Sequence, residues 1–231
     1  NLQSSSDLKD TAGKVFAGER RLDKPGTAVS SDLALELRVD PAEQWVSRGA
    51  LKLIAGLDAF GIDPAGRVAL DIGASTGGFT EVLLRRGAAR VYAVDVGYGQ
   101  LDQRLRNDPR VIVLERTNAR RLTREQVPEP VSLLVCDASF ISLTLVLPAS
   151  LALVEPKAQL VALIKPQFEA GKAQVGKGGV VRDPAVHANV CRGIEAWLGA
   201  QPGWRVQGVV PSPITGPAGN KEFLIGARYE P

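Results

Sequence analysis

Side chains that build metal sites and disulfide frameworks are scarce in this sequence. Its 231 residues include 1 histidine and 2 cysteines, and Cys136 and Cys191 lie far apart without the short spacing of metal ligands. Zinc sites depend on closely spaced cysteines and histidines, and small secreted scaffolds depend on several pairs of cysteines. We therefore expect two reduced thiols, no metal site and a cytoplasmic location.

Long apolar runs are also lacking. The sequence contains no stretch of about 18 apolar residues, the length that a membrane-spanning helix requires, and no signal-peptide pattern. We therefore expect no membrane insertion. Methionine is absent, even at position 1, and the polar, patternless residues 1–11 are expected to be a cloning remnant or a disordered tail.

The remaining composition is that of an ordinary globular protein with a mild positive charge. Hydrophobic residues make up 45% of the chain, and 28 Lys and Arg against 25 Asp and Glu give a formal net charge of +3. A chain of this length fits one α/β domain with a short additional piece. The charge is compatible with a nucleic-acid partner but does not require one.

Short apolar runs alternate with helical patterns from residue 47 onward. Helices are predicted at 47–60, 79–86, 143–154 and 184–198, and strands at 68–72, 90–94, 111–114, 131–136, 160–164, 204–210 and 222–227. Such alternation is typical of an α/β fold, with a mostly parallel sheet and helices on both of its faces. The last two strands are expected to form an antiparallel terminal pair.

Residues 12–40 have a different character. Short strands are predicted around Val15 and at 33–39, and Pro25-Gly26 supplies a turn between them. This segment is too small to form a core of its own. We expect a linker at 41–46 and the main domain at 47–231.

A glycine-rich turn follows the first strand of the main domain. Asp95 and Asn118 follow the next two strands. In open α/β sheets the carboxyl ends of the strands bind ligands, and an acidic side chain after the second strand can accept hydrogen bonds from both ribose hydroxyls of a nucleotide-type cofactor. The expected cofactor-binding residues are Asp71, Gly73, Ala74, Ser75, Gly77, Gly78, Phe79, Asp95, Asn118 and Asp137.

The turn lacks the features of a phosphate-binding loop. Its sequence, Gly73-Ala-Ser-Thr-Gly77-Gly78, does not match G-x-G-x-x-G, and no Walker-type lysine follows. A cofactor without a pyrophosphate therefore fits better, and S-adenosylmethionine is the commonest of these. An NAD-dependent dehydrogenase fits less well, and a turn that binds no ligand stays open as an alternative.

Four charged residues are candidates for catalysis: Asp137, Lys165 and Glu222 lie at the ends of predicted strands, and Lys52 lies in the first predicted helix of the main domain. A lysine can act as a base when burial and a nearby cation favour its neutral form; Lys52 would favour it at Lys165, whereas the carboxylates would oppose it. We expect Lys165 to take the proton from a ribose 2′-hydroxyl that attacks a methyl group, and Lys52 to stabilise the developing oxyanion. The lysines could exchange these roles, and surface ion pairs are the alternative to a catalytic set.

Several motifs along the chain resemble those of the hemolysin A (TlyA) family. They are Ser47-Arg-Gly-Ala-Leu-Lys52-Leu, Asp71-Ile-Gly-Ala-Ser-Thr-Gly-Gly-Phe79-Thr, Ala93-Val-Asp95-Val-Gly-Tyr-Gly-Gln, Arg116-Thr-Asn-Ala-Arg120, Asp137-Ala-Ser-Phe-Ile-Ser142, Lys165-Pro-Gln-Phe-Glu169 and Gly178-Gly-Val-Val-Arg-Asp183. That family is similar to the FtsJ-type ribose 2′-O-methyltransferases. Their Lys-Asp-Lys-Glu tetrad maps onto Lys52, Asp137, Lys165 and Glu222.

The resemblance implies S-adenosylmethionine-dependent 2′-O-methylation of ribosomal RNA by a Rossmann-like methyltransferase domain. It also implies an S-four-like RNA-binding domain at the N-terminus. Residues 12–40 are expected to be its truncated remnant, because its opening helices are missing. The hemolysin name implies membrane damage, which the lack of a spanning segment and of a basic amphipathic helix argues against.

Basic side chains near the predicted active site and in the N-terminal remnant are candidates for phosphate contacts. They are Arg20, Arg21, Lys24, Arg48, Lys172, Lys177 and Arg182. Aromatic residues make up only 5% of the chain, so RNA recognition is expected to depend on shape and on the 2′-hydroxyl, with Phe140 and Phe168 as the best stacking candidates.

Two other functions stay open: a methyltransferase that acts on a small molecule or a protein, and a cofactor-binding RNA adaptor without catalysis. The basic loops argue against the first, and the four charged residues against the second. The sequence leaves open the target nucleotide, the ribosomal subunit that carries it and the oligomeric state.

Overall fold

The protein is described here by a computed structural model. The described residues are 15–17, 19–21, 35–37 and 44–231. The chain divides into two compact units, residues 1–44 and residues 45–231. The expected tail at 1–11, most of the expected remnant at 12–40 and the first part of the linker lie outside the described residues.

The first unit contains a small antiparallel sheet. Its central strand, β1 (Val15–Ala17), pairs with β2 (Arg20–Arg21) on one side and with β3 (Leu35–Leu37) on the other. Strands predicted around Val15 and within 33–39 therefore occur in the structure.

The second unit is built on a sheet of seven strands. These are β4 (Val68–Ile72), β5 (Arg90–Val94), β6 (Val111–Leu114), β7 (Val131–Cys136), β8 (Val154–Ile164), β9 (Trp204–Pro211) and β10 (Phe223–Tyr229). Their order is β6-β5-β4-β7-β8-β10-β9, and β10 runs antiparallel to both of its neighbours. The predicted mostly parallel sheet with antiparallel terminal strands is confirmed.

Helices cover both faces of this sheet, as predicted. They are α1 (Gly49–Ala59), α2 (Gly78–Arg85), α3 (Gln103–Arg106), α4 (Leu143–Val146), α5 (Pro148–Leu151), α6 (Pro166–Glu169) and α7 (Pro184–Gly199). Successive side chains of a strand point to opposite faces, so Leu70 belongs to one hydrophobic cluster and Ala69 to the other. Ile194 of α7 packs into the first cluster, and Leu53 of α1 and Val82 of α2 pack into the second.

The prediction of one helix over 143–154 is wrong. Two short helices, α4 and α5, replace it, and Val154 already belongs to β8. Pro148 is the first residue of α5, where a missing backbone N–H costs nothing; inside a longer helix the same residue would remove a hydrogen bond. The apolar pattern of this segment did not reveal the break.

The strand order reverses next to β4. The chain runs from β4 outward to β5 and β6, and then returns to β7 on the other side of β4. Ligands bind at such a reversal, beyond the carboxyl ends of the strands. Asp95 follows β5, Asp137 follows β7 and Lys165 follows β8, so their side chains start from this edge of the sheet.

A close contact between β10 and Phe60, the residue that follows α1, gives a test of this packing. A Cβ atom at Gly226 would lie 2.4 Å from Cγ of Phe60, so Gly226→Ala is expected to destabilise the protein by about 1–3 kcal/mol. Gly193, inside α7, is the matched control, because a Cβ there meets no atom within 4 Å. Gly193→Ala should stabilise the protein by about 0.5–1 kcal/mol. Urea unfolding measures both changes, and equal effects of the two substitutions would contradict the packing.

Candidate active site

The turn after β4 brings the backbone close to the neighbouring strand ends. The N–H groups of Gly73 and Ala74 donate to the carbonyl of Val94 at the end of β5, at 2.9 and 3.1 Å. Gly73 has a φ of +80°, and a Cβ atom there would lie 3.0 Å from backbone atoms of Ala138. Only glycine fits this position without displacing the segment that follows β7.

A cavity of about 490 Å³ opens beside this turn. Gly73, Ser75, Asp95, Asn118 and Asp137, all predicted to bind the cofactor, contribute to its lining. The carboxylate of Asp95 accepts hydrogen bonds from the N–H of Ser75 at 2.8 Å and from the N–H of Gly97 at 2.7 Å. Asn118 accepts one from the N–H of Arg120 at 3.1 Å. Both side chains are therefore held by backbone groups at the cavity wall.

A second cavity, of about 290 Å³, adjoins the first. Ala74, Gly78 and Phe79, also predicted to bind the cofactor, line this second cavity and not the first. Gly73, Ser75 and Asp137 line both. The two cavities therefore meet at one wall, formed by the turn after β4 and by Asp137.

Asp71 lies beneath the turn and lines neither cavity. Its side chain is fully buried, and the hydroxyl of Thr80 donates to its Oδ2 atom at 2.7 Å. Burial, reinforced by the charges of Asp137 and Asp95 and opposed by the Thr80 hydrogen bond, raises the pKa of Asp71 to about 7. Gly77, which precedes α2, also lines neither cavity.

The raised pKa of Asp71 predicts a specific dependence of stability on pH. The folded state binds a proton at Asp71 that the unfolded state has already released above about pH 4. The stability that this proton contributes is present below about pH 4 and is lost as the pH rises through 7. Relative to Asp71→Asn, wild-type protein should therefore lose free energy of unfolding between about pH 4 and pH 7.

Urea titrations at a series of pH values measure this difference. Glu125→Gln, which removes an exposed carboxyl, controls for the change in net charge. A constant difference between wild type and Asp71→Asn over the whole range would contradict the assignment.

Two buried lysines each form an ion pair with one of the predicted carboxylates. Nζ of Lys52, on α1, lies 2.6 Å from Oε2 of Glu222, which immediately precedes β10. Nζ of Lys165 lies 2.6 Å from Oδ1 of Asp137. Both lysine side chains are 8% exposed, that of Glu222 is 0% exposed, and that of Asp137 is 21% exposed. The four predicted residues therefore form two ion pairs, and Lys52 and Asp137 line the second cavity.

Lys165 has two further oxygen partners. It donates hydrogen bonds to the backbone carbonyl of Asp137 at 3.1 Å and to the hydroxyl of Ser139 at 2.9 Å. Ser139 was not predicted as a site residue, although it belongs to the motif Asp137–Ser142. Its hydroxyl lies at the wall of the first cavity.

The sequence-based prediction also missed Gly216. This residue lines the second cavity, and a Cβ atom there would lie 2.0 Å from Oε1 of Glu222. That oxygen has no hydrogen-bond partner among the described residues. The backbone of the segment before β10 therefore covers the carboxylate directly and keeps it from water. A glycine between two predicted strands gives no sign in the sequence of its contact with Glu222.

The predicted RNA-contacting residues are spread over several segments. Arg48 is exposed at the second cavity, and Lys172, Lys177 and Arg182 are exposed between α6 and α7. Arg20 and Arg21 form β2, and Lys24 lies outside the described residues. The exposed residues among them are accessible to a polyanion.

Phe140 projects from the rim of the first cavity. Its side chain is 88% exposed, its φ is +64°, and its ring centroid lies 4.9 Å from that of Phe168. A positive φ is uncommon for a bulky residue and signals a constrained turn. The two residues predicted from the sequence as stacking candidates therefore form one aromatic pair, in which Phe140 is exposed and Phe168 is half-buried.

Within residues 44–231 and the described strands of the first unit, no helix has both the length and the apolar character needed to cross a membrane.

Comparison with known proteins identifies relatives over most of the chain. The sequence model of the FtsJ-like methyltransferase family matches residues 45–229. The 16S/23S rRNA (cytidine-2′-O)-methyltransferase TlyA of Mycobacterium tuberculosis is 53% identical over 96% of this chain and 84% of that protein. Hemolysin A of Brachyspira hyodysenteriae is 41% identical over 78% of this chain and 75% of its own length.

A similar crystal structure is also known. A candidate hemolysin from Lactococcus lactis superposes with a TM-score of 0.76 and 45% sequence identity, covering 80% of this chain and 88% of that one.

Proposed function

Since the chain belongs to the FtsJ-like methyltransferase family and, within it, to the TlyA group, we propose that it methylates a ribose 2′-hydroxyl of ribosomal RNA with S-adenosylmethionine as methyl donor. The main support for this proposal is that the two cavities meet at Asp137, next to both buried lysine–carboxylate pairs. One cavity suits a nucleoside-type cofactor, and the other leads to Lys52. A ribose hydroxyl placed at the wall that the two cavities share would be accessible from both cavities.

The residues that line the first cavity fit S-adenosylmethionine. Each carboxylate oxygen of Asp95 accepts one backbone N–H and keeps acceptor capacity for the ribose hydroxyls of the cofactor. Asn118 would contact the adenine edge, and the backbone of Gly73 and Ser75 would lie against the rest of the molecule. When bound, the cofactor supplies an electrophilic methyl group on a positively charged sulfur.

The two ion pairs would have different roles in the transfer: one accepts a proton, and the other stabilises negative charge. In the proposed mechanism Lys165, in its neutral form, receives the proton of the ribose hydroxyl, and Asp137 orients the amine. Lys52 stabilises negative charge that develops on the attacking oxygen, and buried Glu222 holds Lys52 in place. Positioning of the hydroxyl between these groups supplies much of the rate enhancement.

The proposed substrate is ribosomal RNA within the ribosomal subunits, and the proposed location is the cytoplasm. The Mycobacterium tuberculosis relative is named for cytidines of both 16S and 23S RNA, so cytidine is the proposed target nucleoside.

Arg48 and the exposed basic residues between α6 and α7 would contact phosphates, and Phe140 offers an exposed ring for a base. We also propose that residues 12–40 belong to an S-four-like RNA-binding domain and that 47–231 are the methyltransferase domain.

Asp95 provides a test of the cofactor cavity. Asp95→Ala should raise the Kd for S-adenosylmethionine about 10- to 100-fold, because hydrogen bonds to a charged group contribute about 1.5–3 kcal/mol each. Isothermal titration calorimetry measures this change. Asp102→Ala is the matched control: Asp102 caps α3 and lines neither cavity. Equal affinities for Asp95→Ala and wild type would place the cofactor elsewhere.

Transfer of a tritiated methyl group to purified 30S and 50S subunits tests the proposed function. We expect label in the RNA of at least one subunit, and about 5- to 50-fold less of it when Asp95→Ala replaces wild type at a cofactor concentration near the wild-type Kd. Cofactor binding without any label in RNA would favour a cofactor-binding RNA adaptor. Label in protein would indicate a different class of methyltransferase.

A further inference from the structure

Three oxygen atoms surround the amine of Lys165, and one of them differs in kind from the others. Oδ1 of Asp137 lies at 2.6 Å, the backbone carbonyl oxygen of Asp137 at 3.1 Å and the hydroxyl oxygen of Ser139 at 2.9 Å. A carboxylate and a carbonyl oxygen accept hydrogen bonds only. A serine hydroxyl can both accept and donate.

This difference determines where the lone pair of a neutral Lys165 can point. A neutral amine has two N–H groups and one lone pair. The backbone carbonyl of Asp137 accepts a hydrogen bond from this amine and Oδ1 of Asp137 forms the ion pair with it, and a lone pair that faced either of these acceptor-only oxygens would be repelled. The lone pair is then directed towards Ser139, whose hydroxyl can donate to it.

Ser139 also connects Lys165 with the cavity. The side chain of Lys165 is 8% exposed, and this residue is not among those that line either cavity in the described part of the chain. Ser139 is exposed and lines the first cavity beside Asp137. A group bound in that cavity would therefore contact the hydroxyl of Ser139 before the amine of Lys165.

We propose that Ser139 is a catalytic residue that relays the proton of the target hydroxyl to Lys165; this inference rests on the proposed function. The O–H bond of the ribose hydroxyl breaks, and its proton passes to Oγ of Ser139. The O–H bond of Ser139 breaks in the same step, and that proton forms a new N–H bond at Nζ of Lys165. Ser139 ends as a hydroxyl, Lys165 ends as an ammonium paired with Asp137, and the ribose oxygen carries the methyl group. The positive charge that leaves the methyl donor appears on Lys165.

Proton exchange between Lys165 and water tests the relay without any cofactor or RNA. Lysine amines labelled with nitrogen-15 are followed by NMR, and the Lys165 signal is identified by its loss in Lys165→Arg. We expect Ser139→Ala to slow exchange at Lys165 and Ser139→Thr, which keeps the hydroxyl, to restore it. A purely structural role of Ser139 predicts the opposite, because removing its side chain exposes the amine to water. Unchanged or faster exchange in Ser139→Ala overturns the relay.

Single-turnover methyl transfer to ribosomal subunits gives the second readout. Ser139→Ala should lower the rate about 10- to 100-fold at saturating RNA with little change in KM, and Ser139→Thr should recover most of it. Ser142→Ala is the matched control, since Ser142 belongs to the same loop but bonds to Glu169 and not to Lys165. A Ser139→Ala rate equal to that of wild type overturns the relay while leaving the methyltransferase intact. Failure of the proposed function itself would appear as an inactive wild type.

Discussion

Replacement of Lys165 with methionine is expected to lower the rate of methyl transfer about 10²- to 10⁴-fold, the range that general acid–base catalysis contributes. Methionine has a similar length but no amine, so the proton of the target hydroxyl loses its acceptor. Lys165 contacts Asp137 and Ser139 and does not line the cofactor cavity, so the affinity for S-adenosylmethionine should remain within about threefold.

Single-turnover kinetics at saturating RNA and cofactor measure the rate, and calorimetry measures the affinity. Lys157→Met is the matched control, because Lys157 lies on the same strand, β8, and is exposed. A Lys165→Met enzyme that keeps a rate within threefold of wild type would remove Lys165 from the chemistry.

The second large effect concerns stability. Lys52→Met should destabilise the protein by about 3–5 kcal/mol, because it leaves the carboxylate of Glu222 buried without its cation. The other oxygen of Glu222 already lacks a hydrogen-bond partner among the described residues, so no second group can compensate. Activity should be lost as well, since Lys52 lines the second cavity.

A double substitution separates these two effects. Lys52→Met combined with Glu222→Leu removes both charges, and replacement of a buried ion pair by apolar groups is often neutral or stabilising. We expect the double variant to recover most of the lost free energy of unfolding but to remain inactive. Arg86→Met is the control, because the exposed pair of Arg86 with Asp58 should contribute less than about 1 kcal/mol. A double variant as unstable as Lys52→Met would show that the ion pair is not the cause.

The strands and their ends were predictable because they depend on local sequence. The strands β4 to β7 match the apolar runs at 68–72, 90–94, 111–114 and 131–136 residue for residue. Parallel strands bring their carboxyl ends to one edge, so the polar residues that follow them had to share that edge. The grouping of Asp95, Asp137 and Lys165 therefore followed from the pattern.

The pairing of charges was not predictable, because it depends on contacts between distant parts of the chain. Lys52 and Glu222 are separated by 170 positions, and the sequence contains no sign that α1 would place this lysine against the start of β10. The same holds for Ser139 and Gly216, whose roles arise from side chains and backbone segments that meet only in the folded protein. A serine or glycine in a loop carries no periodic signal by which it could be recognised.

The chemical position of the transferred methyl group decides whether the protein methylates a ribose 2′-oxygen of ribosomal RNA. Ribosomal subunits labelled by the wild-type protein are digested to nucleosides and analysed by mass spectrometry, with a parallel alkaline hydrolysis. We expect label in a 2′-O-methylated nucleoside, with the adjacent phosphodiester bond resistant to alkali because the 2′-hydroxyl is blocked. Label on a base, with the phosphodiester bond still cleaved by alkali, would contradict it.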